Sequence, residues 1–222
     1  MPGILEAENN MINIITGKPG TGKTYYLAKL ARKFILSGLD IYSNFFIDKD
    51  KIISDYEKSP RVKIITIFHK IFLEEKYQPA YGQIIFWEKL DEFIDIRGGE
   101  VLIDECQIYF NSRKWKDLPE RIQYKFQQHR KHIKRDSQGK VVGLNIWGAV
   151  QNVKRIDTVV RELVNNVFII KKIFKLFIIR QYDIEEIDKE KKYCYSTNIF
   201  TFSHKVASSY DTFQEIAGFS RH

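Results

Sequence analysis

Short apolar runs alternate with longer amphipathic stretches along most of the chain, the pattern of strands interleaved with helices. Met11–Thr16 is nearly continuous in apolar residues and short enough for a buried strand. Lys23–Ser37 places Leu27, Leu30, Ala31, Phe34 and Ile35 on one helical face, and Gly38 is positioned to end that helix. Asp40–Phe45 reads as a second strand, the charged Asp48–Pro60 as a loop, and Val62–Ile67 as another short strand. Gln83–Ile96 carries Ile84, Ile85, Trp87, Leu90, Phe93 and Ile94 at helical intervals and is closed by Gly98-Gly99. Glu100–Ile103 is then a buried strand, and Leu118–Lys134 a polar, basic helix with Pro119 near its first turn. Gly143–Val150 reads as a core strand, Ile156–Val164 as a short helix, Val167–Tyr182 as two strands or one bent strand, and Tyr195–Phe202 as a last strand. This alternation predicts an α/β fold: a mostly parallel sheet with helices on both faces and a small β-rich C-terminal extension. The expected organisation is an N-terminal extension at 1–10 and one domain at 11–222, with its core in 11–182 and the C-terminal extension in 183–222. Ligands of such sheets bind outside the carboxyl ends of the strands.

The junction between the first strand and the first helix reads Gly17-Lys18-Pro19-Gly20-Thr21-Gly22-Lys23-Thr24, a complete phosphate-binding P-loop in the strand–turn–helix setting it requires. Its glycines let backbone N–H groups face phosphate oxygens. Lys23 reaches the β- and γ-phosphates, the Thr24 hydroxyl ligates Mg²⁺, and Tyr25 follows at the helix start as a further nucleotide contact. The second signal is Asp104-Glu105 at the end of the apolar Val101-Leu102-Ile103. There Asp104 would hold Mg²⁺ and Glu105 would activate or position the attacking water; the plain alternative is two solvated acids at a strand end.

Three weaker signals follow. Gln151, at the tip of the Gly143–Val150 strand, suits a γ-phosphate sensor or a loop-capping amide. Arg161 suits a finger reaching a neighbouring subunit's nucleotide, which requires an oligomer, or a surface arginine paired with Glu162 or Asp157; Arg155 competes for the same role. The run His129-Arg130-Lys131-His132-Ile133-Lys134-Arg135, with Lys140 beyond it, suits phosphate neutralisation on nucleic acid through Arg130, Lys131, Lys134 and Arg135, or a solvated helix end. Arg113, Lys114, Trp115 and Lys116 form a second basic cluster with an aromatic inside it.

Lys and Arg outnumber Asp and Glu by 36 to 28, giving a net charge of +8, compatible with a polyanionic partner. Cys106 and Cys194 are the only cysteines among 222 residues, which argues against a disulfide framework and for a reducing compartment. The first ten residues are polar and show no signal-peptide run. The most apolar region, Val167–Ile179, is interrupted by Lys171, Lys172 and Lys175, too charged and too short to span a bilayer. The expectation is a soluble protein.

The P-loop, then Leu102-Ile103-Asp104-Glu105-Cys106-Gln107, Gln128-His129-Arg130, Gln151 and Ile156-Asp157-Thr158-Val159-Val160-Arg161 together resemble the zonula occludens toxin family, which includes the filamentous-phage assembly ATPases. The resemblance runs from about Met11 to Asn166, and Tyr210-Asp211-Thr212 is similar to where that domain ends. The family is grouped with the DNA-pumping branch of P-loop ATPases, which resemble ring-shaped hexameric motors. The resemblance implies that Lys23, Thr24, Asp104 and Glu105 carry nucleotide chemistry, that Gln151 senses it, and that Arg161 acts in trans. Members that export filamentous virions usually have a membrane-spanning segment after the ATPase domain. None follows here, which leaves open a cytosolic variant, a truncated chain, or a genome-packaging ATPase of the same branch. The expected function is a Mg²⁺-dependent ATPase working as a homo-oligomeric DNA motor in virion assembly, extrusion or packaging, with viral structural proteins as further partners. Two alternatives stand beside it. One is a nucleotide-gated scaffold that recruits coat or portal proteins. The other is a small kinase, which has little use for the water-activating Glu105.

Overall fold

The apolar run after Asn10 forms β1 (Ile12–Thr16), the central strand, and its side chains divide by the period of two. Ile12 and Ile14 enter one core and Ile15 the other, so the strand is covered on both faces. The computed structural model describes residues 10–69, 79–111, 120–128, 131–135 and 141–211. In chain order the elements after β1 are α1 (Lys23–Leu36), β2 (Ile41–Ser43), α2 (Lys49–Glu57), α3 (Pro60–Phe68), β3 (Ile84–Phe86), α4 (Leu90–Asp95), β4 (Gly99–Ile103), α5 (Glu120–Gln127), β5 (Lys134–Arg135), β6 (Val141–Val142), β7 (Leu144–Val150), α6 (Thr158–Glu162), β8 (Asn166–Ile173), β9 (Leu176–Asp183), β10 (Ser196–Thr201) and α7 (His204–Ala207).

Eight strands form one sheet in the order β10-β9-β8-β1-β7-β4-β2-β3. From β8 to β3 all neighbours are parallel, while β9 and β10 add antiparallel at the β8 edge. The architecture is a mostly parallel sheet with helices on both faces and a small C-terminal strand extension, as the alternation of elements predicts. On one face Leu27, Ala31, Phe34 and Ile35 of α1 pack against Ile15, Ile41, Leu102, Ala149 and Phe168. On the other, Phe93 of α4, Ile122 and Phe126 of α5 and Val160 of α6 cover Ile12, Ile14, Val101, Ile103 and Ile146. Each fully buried side chain of this size contributes roughly 1.5–3 kcal/mol.

Polar side chains inside the sheet are paired across strands. Asn166 Nδ2 donates to Asn13 Oδ1 at 3.0 Å, Gln181 Nε2 to Asn166 Oδ1 at 2.9 Å, and Ser196 Oγ to Gln181 Oε1 at 2.9 Å. The ladder crosses β1, β8, β9 and β10. Nearer the middle, Glu100 accepts from Asn145 Nδ2 and from Trp147 Nε1, both at 2.8 Å.

Four expectations are corrected. Asp48–Pro60 is not a loop: the Asp48 carboxylate accepts from Lys51 N at 2.9 Å and caps α2. Val62–Ile67 is not a strand: Ser59 caps α3 with Pro60 in its first turn, and these local signals outweigh the β-branched composition. Gln83–Ile96 is not one helix. Ile84–Phe86 pairs with β2, and a new helix begins at Leu90, where the Glu92 carboxylate accepts from Glu88 N and Lys89 N. The basic helix expected to reach Lys134 ends at Gln127, and Lys134 lies in β5 of a small hairpin. Its expected start at Leu118-Pro119 lies outside the described residues. Val167–Tyr182 resolves as two strands, β8 and β9.

Candidate functional site

The P-loop leaves β1 at Thr16 and enters α1 at Lys23. Gly20 and Gly22 have φ of 75° and 89°, the left-handed region that glycine adopts without strain. Gly22 is required a second time: a Cβ there would lie 2.5 Å from the Phe177 ring of β9. Thr21 Oγ1 donates to Lys18 O at 2.7 Å and tightens the loop. Lys23 is buried, and its ammonium donates to the carbonyls of Gly17 at 3.2 Å and Lys18 at 3.4 Å, which holds the charge over the loop. Tyr25 is buried against Phe177 in a stacked arrangement with ring centroids 4.8 Å apart, and its hydroxyl accepts from Ser203 N. Pro19 and Lys18 lie on the exposed outer turn of the loop beside Gly20.

Thr24 Oγ1 donates to Asp104 Oδ2 at 2.7 Å, across 80 residues of sequence. This bond joins the start of α1 to the end of β4. Asp104 is also held through its backbone: its N–H donates to Asn44 Oδ1 at 2.8 Å, and Asn44 Nδ2 donates to the Asp104 carbonyl at 3.0 Å. Burial pushes the Asp104 carboxyl above the usual carboxylate range, the neighbouring Glu105 charge adds to this, and the Thr24 bond and the Lys23 charge oppose it. Glu105 takes φ 47°, a left-handed backbone unusual for a side-chain-bearing residue, and its N–H donates to Asp104 Oδ1 at 3.0 Å. Its own carboxylate accepts from Gln107 Nε2. Cys106 is buried immediately below, with its thiol pushed up by burial, and both cysteines are free.

β7 lies between β1 and β4, so its tip falls between the P-loop and the acidic pair. The Gln151 carbonyl accepts from Thr16 Oγ1 at 3.4 Å, and Gln151 Oε1 accepts from Arg155 at 3.1 Å. Lys23, Thr24, Asp104, Glu105 and Gln151 thus meet along one rim. A hydroxyl and a carboxylate in contact, beneath an ammonium, form a hard-oxygen donor set that fits Mg²⁺ held jointly with phosphate oxygens.

Other expected residues lie elsewhere. Arg161 is in the last turn of α6, and a few residues after the end of that helix Asn165 N donates to Ile12 O at the foot of β1. Arg161 adds to the lowering of the Asp188 carboxyl, behind the larger effect of Lys154, which pairs with Asp188 at 3.0 Å. Lys134 pairs with Asp40 at 2.5 Å beside the start of β2, also at the foot of the sheet, with Lys131 and Arg135 near it in sequence. Arg130, His129, Lys140 and Arg113–Lys116 lie outside the described residues. Asn44 was not expected; a polar residue following the strand Ile41–Ser43 was its only signal.

A family model described as zonular occludens toxin (Zot) matches residues 11–198. The Gene 1 protein of Escherichia phage If1 is 29% identical over 108 residues, covering 48% of this chain and 28% of that protein's length. Among solved structures, the N-terminal domain of zonular occludens toxin from Neisseria meningitidis is 18% identical, with 91% of this chain and 100% of that chain covered at a TM-score of 0.47. The genome packaging NTPase B204 from Sulfolobus turreted icosahedral virus 2, in complex with ATP-gammaS, is 12% identical, with 86% and 96% covered at a TM-score of 0.47. No helix among the described residues is long and apolar enough to cross a membrane.

Proposed function

The chain belongs to the zonular occludens toxin family, and on that premise we propose that it is a Mg²⁺-dependent ATP hydrolase working as a ring-forming motor on DNA in virion assembly, extrusion or genome packaging. The observation that carries the reading is the 2.7 Å bond between Thr24 and Asp104, which joins two motifs distant in sequence at one point beside Lys23. The backbone N–H groups of the Gly17–Thr24 loop, Pro19 excepted, and the Lys23 ammonium bind the phosphates, and Tyr25 lies at the start of the helix that follows them. Thr24 and Asp104 would hold Mg²⁺, which would supply charge neutralisation to the phosphates. Glu105 takes the proton of the attacking water, with Gln107 fixing the orientation of its carboxylate. Gln151, on the strand between the two motifs, reports the state of the γ-phosphate and passes it to Arg155. Arg161 acts on the nucleotide of the adjoining subunit, so turnover rises with assembly.

On this reading the partners are further copies of the chain, DNA and viral structural proteins. The test is steady-state ATP hydrolysis by Glu105→Gln and Arg161→Ala, separately and mixed. Each alone should lose roughly 10²-fold or more in turnover, and the mixture should recover part of it. Wild-type turnover in both variants sinks the assignment of roles. Nucleotide binding without any hydrolysis by the wild type would favour the scaffold instead.

A further inference from the structure

The two-residue turn between β8 and β9 is built from Phe174 and Lys175, with Ile173 opposite Leu176. Phe174 has φ 54°, a left-handed position that hairpin turns normally give to glycine, asparagine or aspartate. Phe174 is 93% exposed, and the neighbouring Ile173 is 53% exposed. A large aromatic in a strained turn, touching almost nothing in its own chain, contributes little to folding.

Charge toward the tip of the hairpin has one sign: Lys171, Lys172, Lys175 and Arg180 are its charged residues there, and its one acid, Asp183, lies at the opposite end, paired with Asn166. The three lysines lie within three residues of Phe174 in sequence and are exposed, and the Lys172 ammonium sits 5.6 Å from the Phe177 ring centroid. An apolar partner would be poorly matched by them, whereas a polyanion with exposed flat groups matches both features. The hairpin is also tied to the nucleotide loop. A Cβ on Gly17 would lie 2.8 Å from the Ile170 carbonyl of β8, and one on Gly22 would lie 2.5 Å from the Phe177 ring of β9. The tip stands about three residues, or roughly 10 Å, beyond these contacts. A static membrane anchor has no need of that connection, but a contact that grips and releases with the nucleotide cycle does.

We propose that the β8–β9 tip is a contact for single-stranded nucleic acid, with Phe174 stacking on a base and Lys171, Lys172 and Lys175 neutralising the flanking phosphates. Stacking needs a base that is free of a partner strand, which selects single strands over duplex. The inference rests on the motor reading above but names a surface that reading leaves open.

The test uses the full chain and a fluorescein-labelled oligothymidylate, with affinity read by anisotropy over a range of salt. Phe174→Asn keeps a residue suited to the left-handed turn, so its melting temperature should not fall, while affinity should drop about tenfold. Phe174→Trp should retain binding. Lys171→Gln, Lys172→Gln and Lys175→Gln combined should make the slope of log affinity against log salt shallower by about two. Wild-type binding with all three variants unaltered would overturn the hairpin's role and leave the motor reading standing. Absence of oligonucleotide binding by the wild type would overturn the single-strand contact, and the motor reading would then be decided by the hydrolysis test above and by binding to duplex DNA. If Phe174→Asn loses binding to vesicles of phosphatidylglycerol but not to the oligonucleotide, the tip is a membrane contact and the proposal is wrong.

Discussion

Glu100 and Asp104 stand at the two ends of the same strand, and both are buried acids, with exposures of 3% and 7%. Burial pushes both carboxyls above their ordinary range. Their surroundings differ in kind. Glu100 accepts from Asn145 and Trp147, one neutral donor to each oxygen, and so closes a network that ties β4 to β7. Asp104 accepts from a threonine hydroxyl at the start of α1, beside a lysine ammonium and an adjoining carboxylate, at the rim where the strands end. A buried acid with a raised pKa is therefore not a site by itself. What marks Asp104 is that its partners come from a phosphate-binding loop.

The comparison is broken most directly by turnover. Asp104→Asn should lower ATP hydrolysis by roughly 10²-fold or more, as loss of metal positioning does, while Glu100→Gln should hydrolyse ATP at the wild-type rate. Equal losses in both would mean that the two acids are not functionally distinct. The converse appears in stability. Glu100→Leu leaves the buried Asn145 donor without its acceptor, at about 1–3 kcal/mol, and removes the partner of the half-buried Trp147, and urea denaturation should register the loss. An unchanged midpoint would show that the network adds nothing. A smaller effect sharpens the role of Asn44: Asn44→Ala removes both bonds to the Asp104 backbone and should cost about 1–3 kcal/mol together with part of the turnover.

The smallest effect is in pH. Because the folded Glu100 carboxyl titrates above its unfolded value, its contribution to stability is complete below the ordinary carboxylate pKa and is lost as pH rises through the raised folded value. Melting of wild type against Glu100→Gln, followed from acid to neutral pH, should show a wild-type advantage that shrinks on raising the pH. A difference that grows instead would reverse the sign of the burial effect.

The rim was legible because its signals are local and continuous. Gly17–Thr24 sits between an apolar run and a helical stripe, and Asp104-Glu105 follows an apolar run directly. The β3 and α3 region was misread for a physical reason. Ile84-Ile85-Phe86 and Val62–Ile67 are short apolar segments whose state is decided by flanking caps and by an available sheet edge, not by their own periodicity. Asn44 was hidden because its role depends on the spatial order of strands: β2 lies next to β4, which the sequence order does not reveal. Phe174 was hidden for the opposite reason. It sits in the most apolar stretch of the chain, and only the turn geometry separates it from a core residue.

The amide ladder through Asn13, Asn166, Gln181 and Ser196 acts as a ruler. A strand that slid by one residue would swing its rung to the opposite face and leave its neighbours' amides without partners, so intermediate alignments are disfavoured. The height at which the β8–β9 turn projects is thereby fixed by side chains near the far end of the same strands. A cut or insertion between Asn166 and Gln181 would change that reach in whole two-residue steps.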